Sequence, residues 1–500
     1  MKIAIVSVLL AALAAVTALS TATLGGFAPG AKVALGVAAG AAWLLAAAAF
    51  LVLLRVRGRA ALVLVLAGSA ALGCAALAGP PNLSTDSARY AWDGIVQDAG
   101  LSPYAHVPAA DALDRYRVAW LFPEPVRGTD GALHCEGLRI QQTTSVPDGD
   151  VLCTALNRPQ VPTIYPPAAE AYFAAVRSVV PVGAEYAPLQ VGGLLLSLGT
   201  TVLLMWGMRA RGLDARWAAL WGWSPFVASE AVTNSHVDAL GVLFIVAATF
   251  AATSAGSPAA WSVRRLGPDG SRRRAALAGV LIGLAAAAKF VPAIAAPALA
   301  RRRPITTTLA AAATFTVSYI PYVAVTGWAV IGYLPGYLDE EGYDSGSRFA
   351  LLSPFLPGLW ATGAAALLIL AALFLAWRMS DPRAPWHAQT VSVGAVLLIT
   401  SPSYPWYALV LIPFIALSKR WEWLVVPIAL TLRTLVPGHP LGTLVVAAAA
   451  AVVATATVVR WRRARAERRI PNPARTTRTE ISNPAERAPA STAPAREETS

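Results

Sequence analysis

The sequence predicts an all-α, polytopic membrane protein, and three observations predict it. Hydrophobic residues make up 56% of the 500-residue chain and charged residues only 13%, far more apolar surface than a soluble core needs. That surface falls in runs of about 18–25 residues, the length that crosses a bilayer as helix. Arginines cluster in the short turns between runs and in the tail, so the net charge of +13 reports orientation and excludes a nucleic-acid partner.

Three apolar spans are expected at 3–22, 31–54 and 60–79. Residues 1–22 carry signal-peptide features, Lys2 before an apolar core and Ala18-Leu19-Ser20 as a cleavage site, but the run is long for a signal core and reads as an uncleaved span. The turn Arg55-Val56-Arg57-Gly58-Arg59 is assigned to the cytoplasm. The N-terminus is then inside and residue 80 emerges outside, at the start of a loop running to about 186.

The loop opens on Leu83-Ser84-Thr85-Asp86-Ser87-Ala88-Arg89-Tyr90-Ala91-Trp92-Asp93-Gly94. Ser84 or Thr85 can cap a helix, Gly100 can end it, and Ser102-Pro103 stops it. A helix over 86–99 puts Asp86, Arg89, Tyr90 and Asp93 on one face. Two carboxylates there, beside a bilayer, are costly unless used or paired. The loop is too long for a plain connector. It holds Cys135 and Cys153, which an oxidising exterior would join as a structural disulfide, whereas Cys74 in the third span is expected to be a buried, inert thiol. After Pro162-Thr163-Ile164-Tyr165-Pro166-Pro167, the stretch 168–180 is too short to cross and is expected to lie in the outer interface, anchored by Tyr165, Tyr172 and Phe173.

Further segments are expected at 187–208, 216–231, 237–254, 275–300, 305–323, 357–378, 387–402, 406–418, 421–437 and 440–459, giving about 12–14 in all. Arg209/Arg211/Arg216, Arg264/Arg265 with Arg272 to Arg274, Arg301 to Arg303, Arg378/Arg383 and Lys419/Arg420 are placed inside. For both clusters flanking 275–300 to be cytoplasmic, that segment must be a hairpin turning at Lys289. The tail 460–500 starts with six arginines, and beyond 470 it lacks the apolar residues to fold. The chain thus divides into spans 1–79, an external loop 80–186, a bundle 187–459 and a cytoplasmic tail 460–500.

With this topology, polar residues from distant segments converge outside: Asp86 and Asp93, then Asn234-Ser235-His236-Val237-Asp238, Lys289, Asp339 to Arg348, and Ser401-Pro402-Ser403-Tyr404-Pro405-Trp406-Tyr407. Each has a structural explanation: a helix-end hydrogen bond for His236, snorkelling for Lys289, a simple ion pair for Arg348, aromatic anchoring for the last turn. Their collection at one lip of the bilayer is what points to a site.

Asp86-x-x-Arg-Tyr-x-Trp-Asp-Gly, Gly100-Leu101-Ser102-Pro103-Tyr104, Tyr165-Pro166-Pro167, His236-Val237-Asp238, Lys289 and Ser401 to Tyr407, in this order over residues 80–420, resemble the GT-C superfamily of membrane glycosyltransferases. The likeness is greatest to family-87-like, polyprenyl-phosphate-mannose-dependent mannosyltransferases of bacteria. Two extra spans before the catalytic loop depart from the simplest layout of that family, where the loop follows the first span.

The resemblance implies inverting transfer of a sugar from a polyprenyl-phosphate carrier to a glycolipid or polysaccharide at the outer face of the bacterial plasma membrane. It also implies no cofactor and no required metal. Asp86 matches the catalytic base, with Asp93 as second candidate. His236, Lys289 and Arg348 are candidates for the donor phosphate, Asp238 for orienting His236 or the acceptor, and Arg89, Tyr90, Tyr165 and Tyr404 for donor or acceptor contacts. The rival classes are a lipid-linked saccharide flippase and an envelope scaffold. Against the flippase stands the lack of a second, symmetry-related broken hairpin; the scaffold leaves the polar convergence unexplained.

Overall fold

The computed structural model describes residues 1–28, 30–254, 268–435 and 440–469. Arg264, Arg265 and the tail beyond residue 469 lie outside them. The chain divides into two units after Ala450. The chain is helical almost throughout: α1 (Lys2–Thr23), α2 (Ala31–Leu53), α3 (Arg59–Ala75), α4 (Asp86–Asp98), α5 (Pro167–Arg177), α6 (Ala187–Arg209), α7 (Asp238–Ala252), α8 (Pro268–Ala288), α9 (Pro304–Thr326), α10 (Leu334–Glu340), α11 (Leu359–Met379), α12 (Trp386–Thr400), α13 (Leu411–Ser418), α14 (Val425–Leu435) and α15 (Leu441–Arg469). Among the described residues four strands, β1 (Val126–Arg127), β2 (Leu133–His134), β3 (Gln141–Thr144) and β4 (Val151–Thr154), form two small antiparallel pairs in the 80–186 loop.

Among the described residues six helices are long and apolar enough to cross a membrane, or seven if a bent pair counts as one span. The bent pair is Pro225–Thr233 with α7, which meet at 118°. The other segments expected from apolarity at 216–231, 406–418 and 421–437 are built from short helical pieces. Large apolar side chains remain exposed on the outer faces, such as Leu44, Ile305 and Leu367, where hydrocarbon would cover them.

Arginines of the predicted cytoplasmic turns gather at one end of the bundle, where they also cap the helices that end there. Arg216 Nη1 donates to Leu54 O beyond α2, Arg211 Nη2 to Phe250 O in α7, and Arg301 to Ser380 O after α11. Arg274, Arg302, Arg303 and Arg383 line one cavity at this end. Arg274 on one flank of 275–300 and Arg302 and Arg303 on the other therefore lie on one side. α8 ends at Ala288, Lys289 follows, and Val291 to Ala300 returns in short helical turns. α8 and α9 run in parallel with their backbones in contact: a Cβ on Gly279 or Gly283 would lie 2.5 or 2.6 Å from the carbonyl oxygen of Thr307 or Ala311.

At the opposite end α4 sits where its sequence signals place it, with the Asp86 N–H donating to Ser84 Oγ at 3.1 Å and Gly100 at φ +79° beyond its last turn. It packs on α5 closely enough that a Cβ on Gly94 would meet Phe173 O at 2.6 Å. Phe173 stacks on Tyr90 at 4.4 Å and is fully buried, and Tyr165 is nearly so. This corrects the expected interfacial anchoring of 168–180: the aromatics are the apolar partner of α4 and join the loop's own core. The Cys135–Cys153 disulfide is present, tying the end of β2 to β4. Cys74 is exposed, not buried, because its position on α3 faces away from the bundle.

Three side chains fix the loop's start to the bent span. Asn234 Oδ1 accepts the N–H groups of Asn82 and Leu83 at 3.0 and 2.9 Å, Gln190 Nε2 bridges Gly79 O and Thr233 O, and Thr233 Oγ1 donates to Ala76 O. The bend at 233–238 thereby sets the height at which α4 begins.

Candidate active site

A cavity of about 550 Å³ opens at the α4 end. Asp86, Arg158, Lys289 and Arg348 bring charge to its wall, Tyr165, Tyr404 and Trp406 bring aromatic faces, and Phe290, Ile294, Val396 and Leu397 make one side apolar. Charge gathered from four separate stretches of chain thus borders an apolar groove in one space.

Asp86 is 8% exposed at the first turn of α4. Its Oδ1 accepts a 2.6 Å hydrogen bond from Asn157 Nδ2, and its Oδ2 lies 3.7 Å from His236 Nδ1. Lys289 Nζ pairs with Asp238 Oδ2 at 3.4 Å and stands 4.9 Å from the ring centre of Tyr165. Its place just beyond α8 puts an ammonium on the wall with one carboxylate to balance it. Arg348 pairs with Glu341 and lies over the Tyr343 ring at 4.4 Å. Tyr404 stacks on Trp406 at 4.7 Å, and Trp406 stacks on His236 at 3.9 Å.

Three predicted residues fall elsewhere than expected. Asp93 does not reach the cavity: it is 1% exposed, pairs with Arg89 at 3.0 Å and accepts from Thr163 Oγ1 at 2.8 Å. Desolvation by burial raises its pKa, with the Arg89 charge opposing. Tyr90 is a core aromatic without exposed surface, and His236 lies behind Asp86, not on the wall. Arg89 does line the wall, but its Nε is spent on Asp93 and its Nη atoms on Val161 O.

Sequence reasoning missed Asn157, Arg158 and Glu230. Arg158 sits in the left-handed region at φ +49°, pairs with Glu340 at 2.6 Å and donates to Tyr404 Oη at 3.4 Å. Nothing in the sequence around Asn157 and Arg158 signals this. Glu230 was detectable as an ionisable residue inside an apolar run. It is 1% exposed and its Oε2 lies 3.3 Å from His236 Nε2. Among the described residues no three His, Cys, Asp or Glu side chains gather to hold a metal ion.

Fold and cavity together define a polytopic helical membrane protein with a charged, partly apolar site at one end of its bundle. Residues 163–402 match the model of glycosyltransferase family 87. The match supports a membrane glycosyltransferase, and with it a sugar donor and an acceptor. It spans His236, Lys289 and Arg348, while Asp86 precedes it. No curated protein and no solved structure matches the chain.

Proposed function

We propose that the protein is an inverting glycosyltransferase that moves a sugar, mannose in the first instance, from a polyprenyl-phosphate carrier to an envelope glycolipid or polysaccharide at the outer face of the bacterial plasma membrane. The observation that carries this reading is the shared cavity: Asp86 stands with Lys289, Arg348 and Arg158 around one space, next to an apolar groove suited to a lipid chain. A free sugar nucleotide has no use for such a groove.

An acceptor hydroxyl is a weak nucleophile. Asp86 takes its proton as the oxygen attacks the anomeric carbon from the face opposite the phosphate. The bond from that carbon to the phosphate oxygen breaks, and the departing polyprenyl phosphate gathers negative charge, which Lys289, Arg348 and Arg158 stabilise. Asn157 holds one Asp86 oxygen, leaving the other for the proton. Arg89 and Asp93 hold the 158–163 segment against α4 and so shape the wall without entering the chemistry. The outward orientation is supported by the arginine turns at the other end of the bundle and by the loop disulfide.

Membranes containing the protein, given radiolabelled polyprenyl-phosphate mannose and extracted envelope glycolipids, should form a labelled glycolipid. Asp86→Asn should abolish transfer while donor binding persists. Ready turnover of a nucleotide sugar without lipid carrier would reject the donor assignment.

A further inference from the structure

His236 is enclosed between two carboxylates. Its Nδ1 faces Asp86 Oδ2 at 3.7 Å, its Nε2 faces Glu230 Oε2 at 3.3 Å, and its side chain has no exposed surface. Among the described residues neither ring nitrogen nor Glu230 Oε2 has a hydrogen-bond partner, so these two carboxylates are the nearest anionic groups on either side of the ring. The ring cannot drift: it stacks on Trp406, and its backbone N–H donates to Glu230 O at 2.9 Å across a π-helical turn, Ala228–Thr233. Such wide turns hold an extra residue and occur most often at functional sites.

We propose that Glu230 is a positioning residue that holds His236 as the neutral tautomer protonated on Nε2, so that the Nδ1 lone pair faces Asp86 and awaits the proton Asp86 removes from the acceptor. The inference rests on Asp86 being the base. A neutral imidazole points its one N–H at the nearer acceptor, and which nitrogen carries it is set by the group facing the other. Glu230 is the nearer partner.

Two acceptors then face each other across the Asp86–His236 gap, which accounts for a separation beyond hydrogen-bond length. Asp86 Oδ2 receives no hydrogen bond from His236. As the acceptor oxygen bonds to the anomeric carbon and the phosphate oxygen leaves, the hydroxyl proton passes to Asp86. The new O–H turns to Nδ1, and the gap closes to about 2.7 Å. The other ionisable groups facing this pair are Asp238, which Lys289 neutralises at 3.4 Å, and the phenols of Tyr90 and Tyr165.

The test is a pH series of transfer kinetics in membranes. Glu230→Gln can donate to Nε2, which frees the Nδ1–H tautomer to stabilise ionised Asp86. The expected result is kcat at least tenfold lower, donor KM within twofold, and the acid limb of the kcat profile moved about one unit to lower pH. Glu230→Asp keeps the anion and should lose less kcat with the limb in place. His236→Phe keeps the stack on Trp406 and should lose kcat as Glu230→Gln does, and adding Glu230→Gln to it should cost nothing more. Wild-type kcat and limb in Glu230→Gln, or additive losses in the double variant, would overturn the relay. Asp86→Asn run alongside separates the two ideas: if it is inactive while Glu230→Gln is normal, only the relay fails, and if it is fully active, the base assignment fails first.

Discussion

Asp93 and Glu170 share a single hydroxyl: Thr163 Oγ1 lies 2.8 Å from Asp93 Oδ2 and 2.7 Å from Glu170 Oε1. A hydroxyl has one proton, so one of the two carboxyls must supply the second. Burial, reinforced by the Asp93 charge, pushes Glu170 well above the usual carboxylate range. Glu170 is therefore the protonated partner, and Asp93 keeps its charge for Arg89. The chain of contacts continues through Gln97, which donates to Glu170 Oε2 at 2.9 Å, to Tyr322 of α9.

This network gives stability a definite pH dependence. Glu170 is raised in the folded protein, so unfolding releases its proton once the pH exceeds the ordinary glutamate value of about 4. Its contribution is whole below that pH and is lost as pH rises through its folded pKa. The unfolding midpoint in detergent should fall between pH 5 and 9, to a degree that Glu170→Gln reduces. A midpoint that climbs across this range would contradict the assignment.

Among the described residues Asn157 makes the one hydrogen bond to the carboxylate of the proposed base, at 2.6 Å. Hydrogen bonds to charged groups are worth about 1.5–3 kcal/mol. Asn157→Ala should therefore lower kcat/KM for transfer by about 10- to 100-fold, read in the same radiolabel assay. An unchanged value would mean that Asp86 is oriented by something else.

Lys289 and Asp238 separate stability from donor binding. Lys289→Met leaves a buried carboxylate unpaired, which costs on the order of 3–5 kcal/mol. Adding Asp238→Asn should restore most of the unfolding midpoint but not the donor affinity. If both recover together, Lys289 has only a structural part.

The Cys135–Cys153 bond closes a separation of 18 residues. Removing it with a Cys135→Ser/Cys153→Ser pair should cost about 3 kcal/mol in the loop, by the chain-entropy account. Proteolysis of the 126–154 region should accelerate, while the helices without loop contacts keep their protection.

The membrane class, the α4 signals and the gathering of arginines at one end were legible because each depends on local composition. Lys289 as a turn was legible because two arginine clusters had to lie on one side. The burial of Asp93 was not, since a helix face carries carboxylates at i and i+7 alike and only the arrival of Thr163 and Glu170 decides which is enclosed. Phe173 misled for a similar reason: an aromatic on a short apolar helix fits a bilayer lip or a protein core equally, and Gly94 opposite it is what favours the core. Asn157 and Arg158 depend on a loop whose course no periodicity records.

The touching backbones of α8 and α9 bear on how the site keeps its shape. With Gly279 and Gly283 pressed against Thr307 and Ala311, neither helix can slide without collision, so the two act as a double beam. Lys289 rides one residue past the end of that beam. Its ammonium is thereby held at a set depth by something stiffer than a loop, and a methyl group at Gly283 should shift it without touching the cavity at all.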